Sequence, residues 1–145
     1  MATNEAESAL RATFTLPELA QLTGIDSRTL HNWMRRDVLA PSHQRASGSG
    51  TRNLFDRADA LFLVIVAELR RGGAEMPALE RVAPELRDFA ARSTGDELLM
   101  INGDVKPVRV TDQLVADLDR QGPAFLYAIS RAHRAVAEFA AGTAR

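Results

Sequence analysis

Eight consecutive apolar residues, Ala60 to Ala67, lie inside a stretch that reads as helical from Ala58 to Arg71, opened by Asp56-Arg-Ala-Asp59 as its cap and closed by Gly72-Gly73. A helix that is apolar nearly all round needs neighbours on every side, so it belongs at the buried centre of a small domain. The run is far short of the roughly 18 to 20 residues that a bilayer crossing requires. At 145 residues the chain has the size of one domain, or of two small ones sharing contacts. With 46% hydrophobic and 26% charged residues, it has the apolar surface to fold.

The residues ahead of this helix arrange themselves in two short, capped pieces. Thr15-Leu-Pro-Glu18 has the form of a capping box with Phe14 as its hydrophobic staple. Leu16, Leu19, Ala20 and Leu22 follow at helical spacing, until Thr23-Gly24 supplies a left-handed stop. Ile25 is an apolar plug, and Asp26-Ser27 caps a second helix to Arg36, with Leu30, Trp33 and Met34 as its apolar stripe. Two short helices joined by a tight glycine turn make a helix-turn-helix. Outside the stripe, the second helix carries Arg28, Thr29, His31, Asn32, Arg35 and Arg36. Such residues form either a solvated face or a recognition helix, since arginine, asparagine and threonine suit base edges and phosphates. Charge placement favours the second: Ile25 to Arg57 holds six arginines against three acids, although the whole chain carries a net charge of −1.

Val38-Leu39-Ala-Pro41 ends the helical pattern. The segment from Ser42 to Asn53 is basic, bears Gly48 and Gly50, and is held down by Leu54-Phe55, so it is expected to form a β-hairpin beside the helices rather than a free linker. After the central helix, Leu79, Val82, Ala83, Leu86, Phe89 and Ala90 mark a fourth helix, which Pro84 is expected to kink or divide. Ser93-Thr-Gly-Asp96 reads as the domain boundary. Beyond it come strands at Leu98–Ile101 and Val105–Val110 around an Asn102-Gly103 turn, with Pro107 demanding a sheet edge. A helix capped by Thr111, a strand from Pro123 to Ile129, and a helix with the stripe Ala132, Ala135, Val136, Phe139 and Ala140 complete the chain. The expected fold is therefore mostly α within an α+β class: an arm at 1–12, a DNA-binding domain at 13–93 and a small ββαβα domain at 97–142. The three-stranded piece buries little core alone and calls for a partner surface.

From Phe14 to Phe89 the chain resembles the winged helix-turn-helix domain of MerR-family transcription regulators, with their excisionase-like relatives. The likeness rests on Phe-Thr-Leu-Pro-Glu-Leu-Ala-Gln-Leu-Thr-Gly-Ile, Asp-Ser-Arg-Thr-Leu-His-Asn-Trp, Val-Leu-Ala-Pro and Leu-Phe-Asp-Arg-Ala-Asp in that order. It implies that Arg28 and Thr29 face DNA, that His31 stands where the family has an arginine, and that Trp33 replaces a tyrosine that contacts phosphate. Arg45, Arg52 and Asn53 would belong to the wing, where the family's glycine-glycine-aromatic-arginine reads Gly50-Thr-Arg-Asn. With Thr15, Ser27, Asn32, Arg35 and Arg36, these residues make up the expected DNA surface. The long dimerising helix of typical members does not follow Phe89, and no heptad run of that length is present.

The expected function is a cytoplasmic, nucleoid-associated, sequence-specific regulator that binds double-stranded DNA as a homodimer through its C-terminal module and meets RNA polymerase. Met100, Val108, Phe125 and Tyr127 are the candidate dimer or ligand surface, with core packing as the alternative for the two aromatic residues. An architectural, excisionase-like protein and a protein-interaction adaptor are the competing readings. The first residues lack a signal peptide's basic and apolar regions. An enzyme is not expected: no nucleophile elbow or phosphate loop is present. No cofactor and no metal are expected. Zero cysteines remove thiolate zinc, iron–sulfur and disulfide chemistry, and the three histidines are scattered. His133, between Arg131 and Arg134, reads as part of a solvated face; Asp117 and Asp119, near a helix end, do likewise.

Overall fold

The computed structural model describes residues 13–47, 52–101, 105–108, 111–122 and 124–143. The arm at 1–12, the glycine-bearing tip at 48–51 and the Asn102-Gly103 turn lie outside them. Helix α1, Leu16–Thr23, begins as its sequence dictates: the Glu18 N–H donates to Thr15 Oγ1 at 3.4 Å and the Thr15 N–H donates to Glu18 Oε1 at 3.0 Å. Gly24 ends it at φ 74, where a Cβ would be strained, and donates to the Ala20 carbonyl at 2.9 Å. Helix α2, Ser27–Arg35, starts under Asp26, whose carboxylate accepts from the Thr29 N–H at 2.8 Å. That backbone hydrogen bond, foremost, holds the Asp26 carboxyl below its usual range.

Helix α3, Arg57–Arg71, is the axis of the molecule. Every residue from Asp59 to Ala67 is buried, and helix α4, Met76–Arg92, packs on it together with α1 and the last helix, α6, Ser130–Thr143. Pro84 does not divide α4. It sits on the exposed side, away from buried Leu79, Ala83, Leu86 and Ala90, where water can take the place of the amide that proline lacks.

Strands β1, Leu98–Ile101, β2, Val105–Val108, and β3, Phe125–Ala128, form an antiparallel sheet ordered β2-β1-β3. Pro107 lies on an outer strand, as its missing donor requires. Between β2 and β3 runs helix α5, Asp112–Gln121, capped by Thr111, whose hydroxyl accepts from the Leu114 N–H at 3.3 Å. The carboxylate of Asp117, read as part of a solvated face, is occupied within α5: it accepts from Gln113 Nε2 at 2.9 Å and pairs with Arg120. The α6 stripe of Ala132, Ala135, Val136, Phe139 and Ala140 enters the core, so apolar side chains from both sides of Ser93–Asp96 form one cluster.

The segment after Pro41 is anchored at its base more than it is laddered. Phe14 and Phe55 exchange two backbone hydrogen bonds of 2.8 Å, and the Phe14 ring lies 6.3 Å from that of Phe139. Among the described residues the expected hairpin is reduced to one bridge, Gln44 with Leu54. Side chains stand in for further ladder bonds: the Ala46 N–H donates to Asn53 Oδ1 at 2.8 Å, and Gln44 Nε2 donates to the Arg52 carbonyl at 3.2 Å. Asp59, buried within α3, accepts from the Ser42 N–H at 2.9 Å, the Ser42 hydroxyl at 2.7 Å and the Asp56 N–H at 3.0 Å. Burial holds its carboxyl above the usual range.

Asp59→Ala strands these donors and is expected to lower stability by about 1–3 kcal/mol in urea denaturation. Trp33, only 3% exposed, belongs to the core with Leu30. Trp33→Ala is expected to cost about 3–5 kcal/mol by the same measurement.

Candidate nucleic-acid interface

The N-termini of α1 and α2 open onto the same concavity. Its volume is about 400 Å³, and Thr15, Ser27, His31, Arg52 and Asn53 line it together with Leu16, Pro17 and Ala46. The helix caps bring about this convergence. Thr15 must lie outside α1 in extended backbone to accept from Glu18, and the glycine stop at position 24 turns the chain so that the first residue of α2 arrives at the same opening. Arg52 brings a positive side chain to it, while the carboxylates of Glu18 and Asp26 stand at the N-termini of α1 and α2 and offset the roughly half positive charge that each helix dipole places there. Residues from two helices and the wing base thus face one another across a single groove.

Along α2, the sequence positions divide into separate faces. Arg28, Asn32 and Arg35 are exposed, and the Arg35 guanidinium donates to Asn32 Oδ1. His31 and Arg35 also border a second concavity with Met34. Thr29 lies on the other flank, in a depression of about 320 Å³ shared with Thr23, Asp26, Arg70 and Arg71. The two arginines at the end of α3 were not singled out in the sequence, although their pairing before Gly72-Gly73 is a visible basic signal. Arg71 is partly committed, since its Nη2 donates to the Thr23 carbonyl at 3.1 Å.

Several expected site residues stand elsewhere. Trp33 is in the core, because its place in the Leu30, Trp33 and Met34 stripe turns it away from solvent; it cannot substitute for a phosphate-contacting tyrosine. Arg36 reaches Glu80 of α4 at 2.8 Å and ties the end of α2 to the scaffold, an exposed ion pair worth about 1 kcal/mol or less. Arg45 is exposed beside the wing, while Asn53 spends its side-chain oxygen on Ala46.

In the C-terminal module, Met100 and Tyr127 are buried and so present no dimer or ligand surface. Tyr127 shares a face with Leu99 and joins the central cluster, while Met100 is covered on the other face of the sheet, across from Leu126. The Tyr127 hydroxyl has no hydrogen-bond partner among the described residues, and burial pushes its phenol up to about 12. Val108 is half-buried on β2, and Phe125 lies in β3. Among the described residues, the exposed large apolar side chains here are Val115 and Leu126, at 65% and 41%.

His133 is likewise not on a solvated face. It is half-buried, 3.1 Å from Arg57 Nη2 through Nδ1 and 2.8 Å from Ser93 Oγ through Nε2. Among the described residues, no helix is long and apolar enough to cross a membrane and no cluster of three metal-ligating side chains occurs.

The chain is similar to proteins of Mycobacterium bovis and of two strains of Mycobacterium tuberculosis, each named an uncharacterized HTH-type transcriptional regulator. The identity is 29% over 119 residues, which cover 81% of this chain and 53% of each relative. This chain thus spans about half the length of the relatives it matches. Residues 14–86, half of the chain, match the model for MerR HTH family regulatory proteins. They include both capped helices, the wing base, the central helix and most of α4, and by that match the chain belongs to the MerR helix-turn-helix family.

Proposed function

We propose that this protein is a DNA-binding transcriptional regulator that reads a specific duplex sequence as a homodimer. The observation that carries the reading is the single groove in which Thr15, Ser27, His31, Arg52 and Asn53 meet, flanked by the exposed Arg28, Asn32 and Arg35. A backbone phosphate seated at the joined N-termini of α1 and α2 would fix the register of α2. Arg28, Asn32 and Arg35 are then the side chains offered to base edges in the major groove. On the opposite flank, Arg70 beside Thr29 supplies a second contact to phosphate. His31 differs from an arginine in its shorter reach and its ring nitrogens, which suit a base edge as well as a phosphate.

The name shared by the mycobacterial relatives supports the same assignment. Two copies joined through the C-terminal module would set two recognition helices on successive grooves. With Met100 and Tyr127 inside, the exposed Val115 and Leu126 are the side chains offered for that contact. A regulator of this kind works in the cytoplasm at the nucleoid and has RNA polymerase as its further partner. The chain then divides by role, with 13–93 for DNA and 97–142 for assembly.

Capture of genomic fragments by the purified protein tests the proposal. One two-fold symmetric motif supports it, whereas protection of adjacent repeats points to an architectural role. If a dimer meets about 6–10 phosphates, affinity falls by about 10³ to 10⁵ between 50 and 200 mM salt. Arg52→Ala is expected to weaken binding to all sequences and to lower the salt slope by about 1. Arg28→Ala is expected to cost about 1–3 kcal/mol at a single base position and to relax the motif there.

A further inference from the structure

Apart from the groove, four side chains from three segments form one directed chain of hydrogen bonds. Arg57 comes from the first turn of α3, immediately after the wing base. Ser93 and Glu97 come from the segment between α4 and β1, and His133 from the first turn of α6. Arginine has donors only, so its contact with Nδ1 at 3.1 Å requires a lone pair there, and the ring proton sits on Nε2. Nε2 then donates to Ser93 Oγ at 2.8 Å, and the Ser93 hydroxyl donates to Glu97 Oε2 at 2.9 Å. The chain runs from a guanidinium to a carboxylate through a neutral imidazole.

The same carboxylate fastens its own loop, accepting from the Thr94 N–H at 2.8 Å, the Thr94 hydroxyl at 3.0 Å and the Gly95 N–H at 3.1 Å. Gly95, at φ 105, lies over the imidazole, where a Cβ would stand 3.7 Å from the ring. The Ile129 N–H donates to the Glu97 carbonyl at 3.1 Å, so the loop and the start of α6 are joined on both sides of the ring.

We propose that the Arg57–His133–Ser93–Glu97 chain is a proton-sensitive latch that holds the C-terminal module to the base of the DNA-binding half and lets go when His133 gains a second proton. A proton on Nδ1 would confront a donor with a donor and a cation with a cation across 3.1 Å. The groups facing the ring are Arg57 from α3 and Glu97 and Asp96 from the loop. On α6 itself, Arg131 is turned to Glu68 at 3.8 Å and Arg134 is exposed. Burial, with Arg57 next, holds His133 below its ordinary 6.5, outweighing the two carboxylates. A depressed base binds its proton more readily in the unfolded chain. The latch therefore contributes fully above pH 6.5 and is lost as pH falls through the folded-state value. Neither the groove nor its DNA role enters this argument.

The test is a pH series on the full chain, with imidazole titration by NMR and hydrogen exchange compared at pH 7.5 and 5.5. The expected result is a His133 midpoint below 6.5, with protection lost at 93–97 and 130–134 at the lower pH while 16–35 stays protected after correction for intrinsic exchange. His133→Gln, which keeps the donor to Ser93 but cannot titrate, should remove that difference. Arg57→Gln should move the His133 midpoint upward. A midpoint at or above 6.5 in the unaltered protein overturns the proposal, as does an equal loss of protection in His133→Gln. If that variant does not fold, an Arg57→Gln midpoint unchanged from the parent overturns it, and an upward shift upholds it.

Discussion

An α-helix with apolar side chains around its whole circumference cannot be satisfied by a single neighbour, and α3 sets the terms for everything else. Its nine consecutive buried residues from Asp59 to Ala67 are enclosed by α1, α4 and α6, drawn from widely separated parts of the chain. The helix-turn-helix half and the ββαβα half thus draw on one hydrophobic cluster.

The groove owes its form to polar details at the ends of helices. Capping forces Thr15 into extended backbone, Gly24 turns the path, and Asp59 holds Ser42 at the start of the wing segment. Each acts within a few residues of its own position or through one buried carboxylate. The basic face of α2 could thereby evolve separately from the core stripe beneath it, since Leu30 and Trp33 fix the helix while Arg28, Asn32 and Arg35 project from it.

Local chemistry was legible in the sequence and remote chemistry was not. The Thr15 capping box, the Asp56 cap, the glycine stop and the α6 stripe depend on neighbours three or four residues away, and the edge position of Pro107 on its own missing N–H; all appear as their patterns require. Trp33 shows how a resemblance can mislead: its own spacing placed it in the apolar stripe, and only the family's tyrosine suggested a surface role. Pro84 was weighed by intrinsic propensity, whereas packing of Leu79, Ala83, Leu86 and Ala90 on α3 carried the helix past it. The wing was read from composition, which does not show that Asn53 and Gln44 would take over backbone bonding. His133 could not be read at all, since Arg57 and Ser93 are 76 and 40 positions away.

The ring of Phe14 meets that of Phe139, so the first described strand position and the last helix close on each other. A ribosome adding roughly 5–20 residues per second must synthesise the intervening stretch before that contact can exist, a delay of about 6 to 25 s. Throughout that interval the nascent α2 has its caps but not its full backing, and α3 displays one uncovered flank to the surroundings. Maturation of the helix-turn-helix is therefore tied to completion of translation through α6, and helpers that shield greasy surface would act on the emerging chain during that wait.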